Sequence, residues 1–191
     1  MEQLTEVIIE PIDLAAWAPY ALEVQAQAFG LTAEEVAVRL QIVGRHALQP
    51  GVIALGAMSG GRLVGFGYGM PNHREHWWST VIQPHLEARG HGDWLDEVFA
   101  VTELHVLPGF QGQGVGSGLI RRLCEGSGLP RSILSAIDAE TPARRLYRSL
   151  GYRDLARAVH FPNTDRPYAV MGATLPLRPG RAAQSQSANS R

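Results

Sequence analysis

One cysteine, Cys124, among 191 residues leaves no internal disulfide and suits a reducing compartment. Charge of one sign is also missing: 17 Lys and Arg against 18 Asp and Glu give a formal net charge of −1. Nucleic-acid binding draws on counterion release from a concentrated basic surface, so this balance argues against a nucleic-acid partner. No apolar run approaches the ~20 residues of a membrane span. The opening, Met1-Glu2-Gln3-Leu4-Thr5-Glu6, has neither the basic nor the apolar region of a secretion signal. The expectation is a cytoplasmic protein with no membrane partner.

What is present is ordinary globular material, 45% hydrophobic and 18% charged, in a length that suits one domain and a tail. Residues 5–12 are β-branched and apolar enough for a first strand. Asp13 can cap a helix to about Gln27, with Leu14, Trp17, Ala21, Leu22 and Val24 as its apolar stripe. Thr32 and Glu35 have capping-box spacing, and Val36, Leu40 and Val43 continue the helix to about His46. Residues 52–58 and 62–70 flank Ser59-Gly60-Gly61 and read as a hairpin. Val98–Val106 reads as a strand, residues 112–125 as a glycine-opened helix and residues 132–137 as a short strand. Thr141 caps a helix to Leu150, with Pro142 in its first position and Gly151 as its stop. Residues 153–161 and 168–175 form a last hairpin. The pattern predicts one mixed α/β domain over 1–175 and an unstructured tail over 176–191, which has almost no apolar residues.

Residues 71–97 have poor periodicity yet hold three of the four tryptophans and four of the seven histidines. A helical turn or two around residues 77–82, ending before Pro84, is expected. The histidines and acids here (His73, His76, His85, His91, Asp93, Asp96) lack metal-ligand spacing, so no metal is expected. Two readings stay open. One is an acceptor pocket, with Trp77, Trp78 and Trp94 as walls and Asp93, Asp96 and Glu97 holding a cation. The other is a packed surface segment.

Gly112, Gly114, Gly116 and Gly118 follow a strand and open a helix, where backbone N–H groups can approach a phosphate. A dinucleotide fingerprint fails in both registers, at Ser117 and at Leu119, and a P-loop would need a lysine after Gly116. The segment His105-Val106-Leu107-Pro108-Gly109-Phe110-Gln111-Gly112-Gln113-Gly114-Val115-Gly116 resembles the coenzyme A signature of the GNAT superfamily, Q/R-x-x-G-x-G/A after a strand ending in V-x-P. Residues 143–152, Ala-Arg-Arg-Leu-Tyr-Arg-Ser-Leu-Gly-Tyr, resemble that family's A-x-x-L-Y-x-x-L-G-F/Y stretch. Glu140 stands where relatives often carry an asparagine that contacts the coenzyme.

The resemblance implies a mixed, mostly antiparallel six- to seven-stranded sheet with helices on both faces. It implies an N-acetyltransferase that uses acetyl-CoA as co-substrate and passes acetyl directly to a small-molecule or peptide amine acceptor. It places the coenzyme against Leu104, Val106, Gln111, Gly112, Gln113, Gly114, Val115, Gly116 and Ser117. The Val106 N–H is then the oxyanion donor, and Tyr147 the general acid. Helical spacing with Ala143, Leu146 and Leu150 equally describes Tyr147 as a core residue. Glu103 and His105 alternate with Leu104 and Val106, so they share the opposite strand face, as base and second candidate base or as solvated polar residues. Asp96 and Glu97 are further candidates. Arg121, Arg122, Arg144 and Arg145 could meet the coenzyme's 3′-phosphate or simply be solvated, and Cys124 reads as a buried thiol. A silent acyl-CoA-binding sensor of the same fold is the alternative; a homodimer is left open.

Overall fold

The computed structural model describes residues 6–162 and 164–179. In chain order the elements are β1 (Ile8–Pro11), α1 (Leu14–Phe29), α2 (Ala33–His46), β2 (Ile53–Ser59), β3 (Arg62–Pro71), α3 (Trp77–Glu87), β4 (Val98–Val106), α4 (Val115–Ser127), β5 (Arg131–Ile137), α5 (Pro142–Leu150), β6 (Arg153–Val159) and β7 (Tyr168–Thr174). Short 3₁₀ turns lie at Gly92–Leu95 and Pro108–Phe110. The seven strands run in the order β1-β2-β3-β4-β5-β7-β6. The described residues divide into two compact units, one of residues 6–71 and 101–127 and one of residues 72–100, 128–162 and 164–179. Strand β4 contributes its first three residues to the second unit and the rest to the first.

In the first unit, β1, β2 and β3 are antiparallel. Asp13 Oδ1 accepts from the Ala16 N–H to start α1, and Gly30 ends it in the left-handed region at φ 74°. The Thr32–Glu35 capping box forms, with Thr32 Oγ1 accepting from Glu35 N and Glu35 Oε2 from Thr32 N. Helix α4 opens at Val115, three residues later than the glycines alone suggest, because Gly112 and Gly114 sit at φ 73° and 85°, outside helical geometry. It lies close on β3: a Cβ on Gly67 would come to 3.0 Å from both Leu104 and Leu123. Leu104 therefore faces α4. Glu103, its neighbour on β4, meets Gln25 of α1 and Arg39 of α2. Strand alternation thus puts α4 on one face and α1 with α2 on the other.

In the second unit, β4 pairs parallel with β5 over Val98–Ala100, β5 pairs antiparallel with β7, and β7 with β6. Ile82 and Leu86 of α3 pack with Trp94, Leu95, Ile133, Leu155, Val159 and Val170 in one apolar core. Ser132, on the other face of β5 from Ile133, hydrogen-bonds its Oγ to the Tyr152 hydroxyl at 2.6 Å. The Tyr152 ring lies 5.8 Å from that of Tyr147, so α5 occupies the face opposite α3.

Two expectations change here. Helix α3 runs through Pro84 to Glu87; proline costs one amide bond, and burial of Ile82 and Leu86 holds the helix together across it. The tail does not begin unstructured: Leu177 is buried, and the Arg178 N–H donates to the Leu150 carbonyl at the end of α5. Residues 180–191, the rest of the expected tail, lie outside the described residues. Among the described residues no helix is long and apolar enough to cross a membrane.

Candidate active site

The turn between β4 and α4 is a set of donors without acceptors. Leu107 N–H is taken by the Val64 carbonyl, Gln111 N–H by Pro108 and Gly118 N–H by Gly114. Between them, the N–H groups of Gly112, Gln113, Gly114, Val115, Gly116 and Ser117 meet no acceptor among the described residues. Gly112 and Gly114 are exposed, and a Cβ on either would find nothing within 4 Å. Unpaired amides at a helix N-terminus carry partial positive charge, and a nest of them suits a phosphate or pyrophosphate. The residues present therefore fit the pyrophosphate of a coenzyme. Gln111 also holds the shape of the turn. Its side-chain N–H donates to the Val106 carbonyl at 2.9 Å, and that of Gln113 to the Gly109 carbonyl at 2.9 Å. Both glutamines brace the turn on its own backbone.

On the opposite face of β4 the structure brings Glu103 and His105 together, with His105 Nε2 donating to Glu103 Oε2 at 2.7 Å. The imidazole is flanked by Phe29 and Phe66, at ring distances of 5.9 and 5.6 Å. Gln25 Nε2 donates to the same carboxylate oxygen at 3.3 Å, and Arg39 Nη1 stands 3.4 Å from the other. Burial alone would raise the Glu103 carboxyl. The hydrogen bond and electrostatic pull of His105, with Arg39 and Gln25, outweigh it and hold the group below the ordinary carboxylate range. Beside this cluster the Tyr68 hydroxyl lies 3.0 Å from His46 Nδ1. Burial, and then the charge of Glu103, push the Tyr68 phenol far up, so it stays protonated; which of the two groups donates follows the His46 tautomer.

Gln25 and Arg39 were not among the residues singled out by sequence. Each left a signal. Gln25 continues the buried stripe Leu14, Ala18, Ala21, Leu22 of α1 and is itself 1% exposed; Arg39 stands three residues after Val36 and four before buried Val43 on α2. A polar residue at core spacing asks for a polar partner, and here that partner is Glu103.

In the second unit, Tyr147 is buried on α5 beside Tyr152. The inward face of α5 is Arg144, Tyr147 and Leu150; Ala143 is exposed, which corrects the stripe read from sequence. Arg144 is fully buried and unavailable to a phosphate. Its Nη1 donates to Asp138 at 2.7 Å and its Nη2 to both oxygens of Asp154 at 2.7 Å. Asp138 also accepts from Arg157 and from the Ala158 N–H, and these contacts, the Arg157 hydrogen bond foremost, hold its carboxyl below its ordinary value. Arg122 is likewise engaged, donating to the Ile9 carbonyl, and Cys124 is buried.

The three tryptophans of residues 71–97 are placed differently. Trp94 is core: a Cβ on Gly172 would come within 2.6 Å of its ring. Asp93 is held by Arg131 and Asp96 by Arg74, so neither waits for a cation. Trp78 is half-buried with its N–H on Ser135 Oγ, while Trp77 is exposed. Among the described residues no three His, Cys, Asp or Glu side chains gather as a metal would need.

A seven-stranded mixed sheet carries an amide-lined turn from its central strand into a helix, a geometry that could seat a coenzyme's phosphates. The acetyltransferase (GNAT) domain profile matches residues 51–154, more than half of the 191-residue chain. The chain belongs to the GNAT acetyltransferase family. A GCN5-like protein acetyltransferase of Mycobacterium tuberculosis is 35% identical over 128 residues, 63% of this chain and 62% of that protein. The chain thus spans less than two thirds of that relative. Among solved structures, the ribosomal-protein-S18-alanine N-acetyltransferase of Escherichia coli aligns with a TM-score of 0.63 at 16% identity, over 92% of this chain and 98% of the other. A PaiA N-acetyltransferase of Thermoplasma acidophilum in complex with coenzyme A aligns at 0.59 and 12% identity, over 88% and 99%. At such identities these two structures speak for the fold.

Proposed function

We propose that residues 1–175 act as one catalytic domain that transfers acetyl from acetyl-CoA directly to a primary amine. The observation that carries this reading is the run of unpaired amides from Gly112 to Ser117, on the coenzyme signature of a chain in an acetyltransferase family. The coenzyme's pyrophosphate would lie on those amides.

Chemistry assigns the remaining roles. A lysine-like amine, pKa near ~10.4, is mostly protonated at neutral pH, and only its neutral form attacks a thioester. Glu103 takes the ammonium proton, directly or through water, and His105 holds the carboxylate in place. The amine nitrogen then bonds to the thioester carbonyl carbon, and the Val106 N–H donates to the developing oxyanion. The C–S bond breaks and the departing thiolate takes a proton from Tyr147; the surplus proton on the new amide nitrogen leaves to water, from which the Tyr147 phenolate is reprotonated, and Glu103 returns its proton to solvent.

The rival reading, a silent acyl-CoA sensor, draws on the engagement of both Glu103 oxygens by protein groups. Release of free thiol from acetyl-CoA across a panel of amines separates the two. The chain contains no lysine, so acetylation of its own lysine side chains contributes no background. An enzyme releases thiol only when its acceptor is present; tight coenzyme binding with no release across the panel would support the sensor. Tyr147→Phe should keep coenzyme affinity and lose about tenfold or more in kcat. Unchanged turnover would remove the tyrosine from the mechanism.

A further inference from the structure

The two oxygens of Glu103 are used unequally. Oε2 accepts from His105 at 2.7 Å and from Gln25 at 3.3 Å. Oε1 has only Arg39 Nη1, at 3.4 Å, whereas a charge-assisted N–H···O⁻ bond settles near 2.7–2.9 Å. Arginine carries five N–H donors in a planar fork, and among the described residues Glu103 is the only hydrogen-bond partner Arg39 has. Glu35, one turn back on α2, has its carboxylate on the Thr32 N–H. Both side chains of the pair keep some exposure, 34% for Arg39 and 23% for Glu103. Arg39 is therefore held loosely beside the one oxygen of the base that an incoming ammonium could take.

We propose that the acceptor carries a carboxylate next to its reactive amine, and that Arg39 binds that carboxylate while Glu103 Oε1 receives the ammonium. The inference rests on the reading of Glu103 as the base. An ammonium on Oε1 sits a few ångströms from the guanidinium. Two like unit charges about 4 Å apart repel by an amount worth roughly fivefold in affinity in water, and on the order of a thousandfold at the dielectric of a protein surface. A bare amine bears that repulsion in full. An amino acid or short peptide whose amine and carboxylate lie close together cancels it, and the arginine fork fits a carboxylate with two parallel bonds. Drawing Arg39 onto the acceptor also loosens its hold on Oε1, which leaves that oxygen to the proton.

The test uses matched acceptor pairs, free amino acids and dipeptides against their C-terminal amides, with acetyl-CoA and free-thiol readout on the full chain. The amide has the less basic amine, so more of it is unprotonated, and a preference for the acid cannot come from nucleophile supply. We expect kcat/KM for the acid to exceed that of its amide by about tenfold to a hundredfold, chiefly through KM. In Arg39→Gln the ratio should fall toward one, and Arg39→Lys should retain part of it, since it keeps the charge and loses the fork. Equal use of acid and amide by the wild type, or an undiminished preference in Arg39→Gln, overturns the inference and leaves the acyltransferase reading standing. Absence of thiol release with every acceptor overturns both.

Discussion

Glu103→Gln is expected to lower kcat/KM by about 10²–10⁴-fold, while acetyl-CoA affinity and the cooperativity of unfolding persist. The substitution keeps side-chain volume and an amide oxygen that His105 can still donate to, and removes only the charge and its capacity to take a proton. The carboxyl is held below the ordinary carboxylate range on folding, so in the wild type it is ionised throughout the neutral range. The rate should accordingly rise with pH as the acceptor amine deprotonates, with no acid limb from Glu103 near neutrality. The same depression fixes the sign of its contribution to stability. That contribution is complete above the unfolded carboxylate value and is lost as pH falls through the lower folded value. The variant should lose this acid dependence, which chemical denaturation at graded pH reads directly. A Glu103→Gln enzyme with wild-type kcat/KM would move the base elsewhere.

Arg144→Ala should destabilise the protein by about 3–5 kcal/mol, the usual cost of breaking a buried ion pair from one side. The guanidinium is 0% exposed and is the one side-chain bridge from α5 to both Asp138 at the end of β5 and Asp154 on β6. Asp138 would keep Arg157 and the Ala158 N–H, so the carboxylate left without its arginine is Asp154. A double variant, Arg144→Met with Asp154→Asn, removes both charges of this pair and should recover part of the loss, because Asp154 is no longer left as a charge without its partner. Chemical denaturation of the two variants measures the difference. A loss below about 1 kcal/mol for Arg144→Ala would show that the network contributes little. The buried Arg144 Nε, which has no hydrogen-bond partner, is one reason the double variant need not be costly.

The elements that local chemistry specifies were legible in the sequence. Strand β4 was readable from its apolar run and alternation over Val98–Val106, and α5 from the Thr141 cap, Pro142 and Gly151. The capping box of α2 and the glycine turn were equally plain, because each is written within a few consecutive residues. What escaped depends on partners distant in the chain. Arg144 reads as a surface residue until Asp138 and Asp154 converge on it. Trp94 reads as a pocket wall until Gly172 opens the space beneath its ring. Gln25 and Arg39 lie 78 and 64 positions from Glu103, so no window of sequence could join them to it. The burial of Ile82 and Leu86 carries α3 past Pro84 against its local preference.

The central claim is that the amides of the Gln111–Ser117 turn hold the coenzyme, and calorimetric titration of acetyl-CoA tests it most directly. Wild-type chain should bind saturably. Gly114→Trp places a large side chain on a left-handed backbone position, φ 85°, in the open space before the amides. With cooperative unfolding retained as the control for folding, its affinity should fall at least about tenfold, as loss of charge-assisted amide bonds implies. Equal affinity of the two proteins for acetyl-CoA would contradict the assignment of this turn.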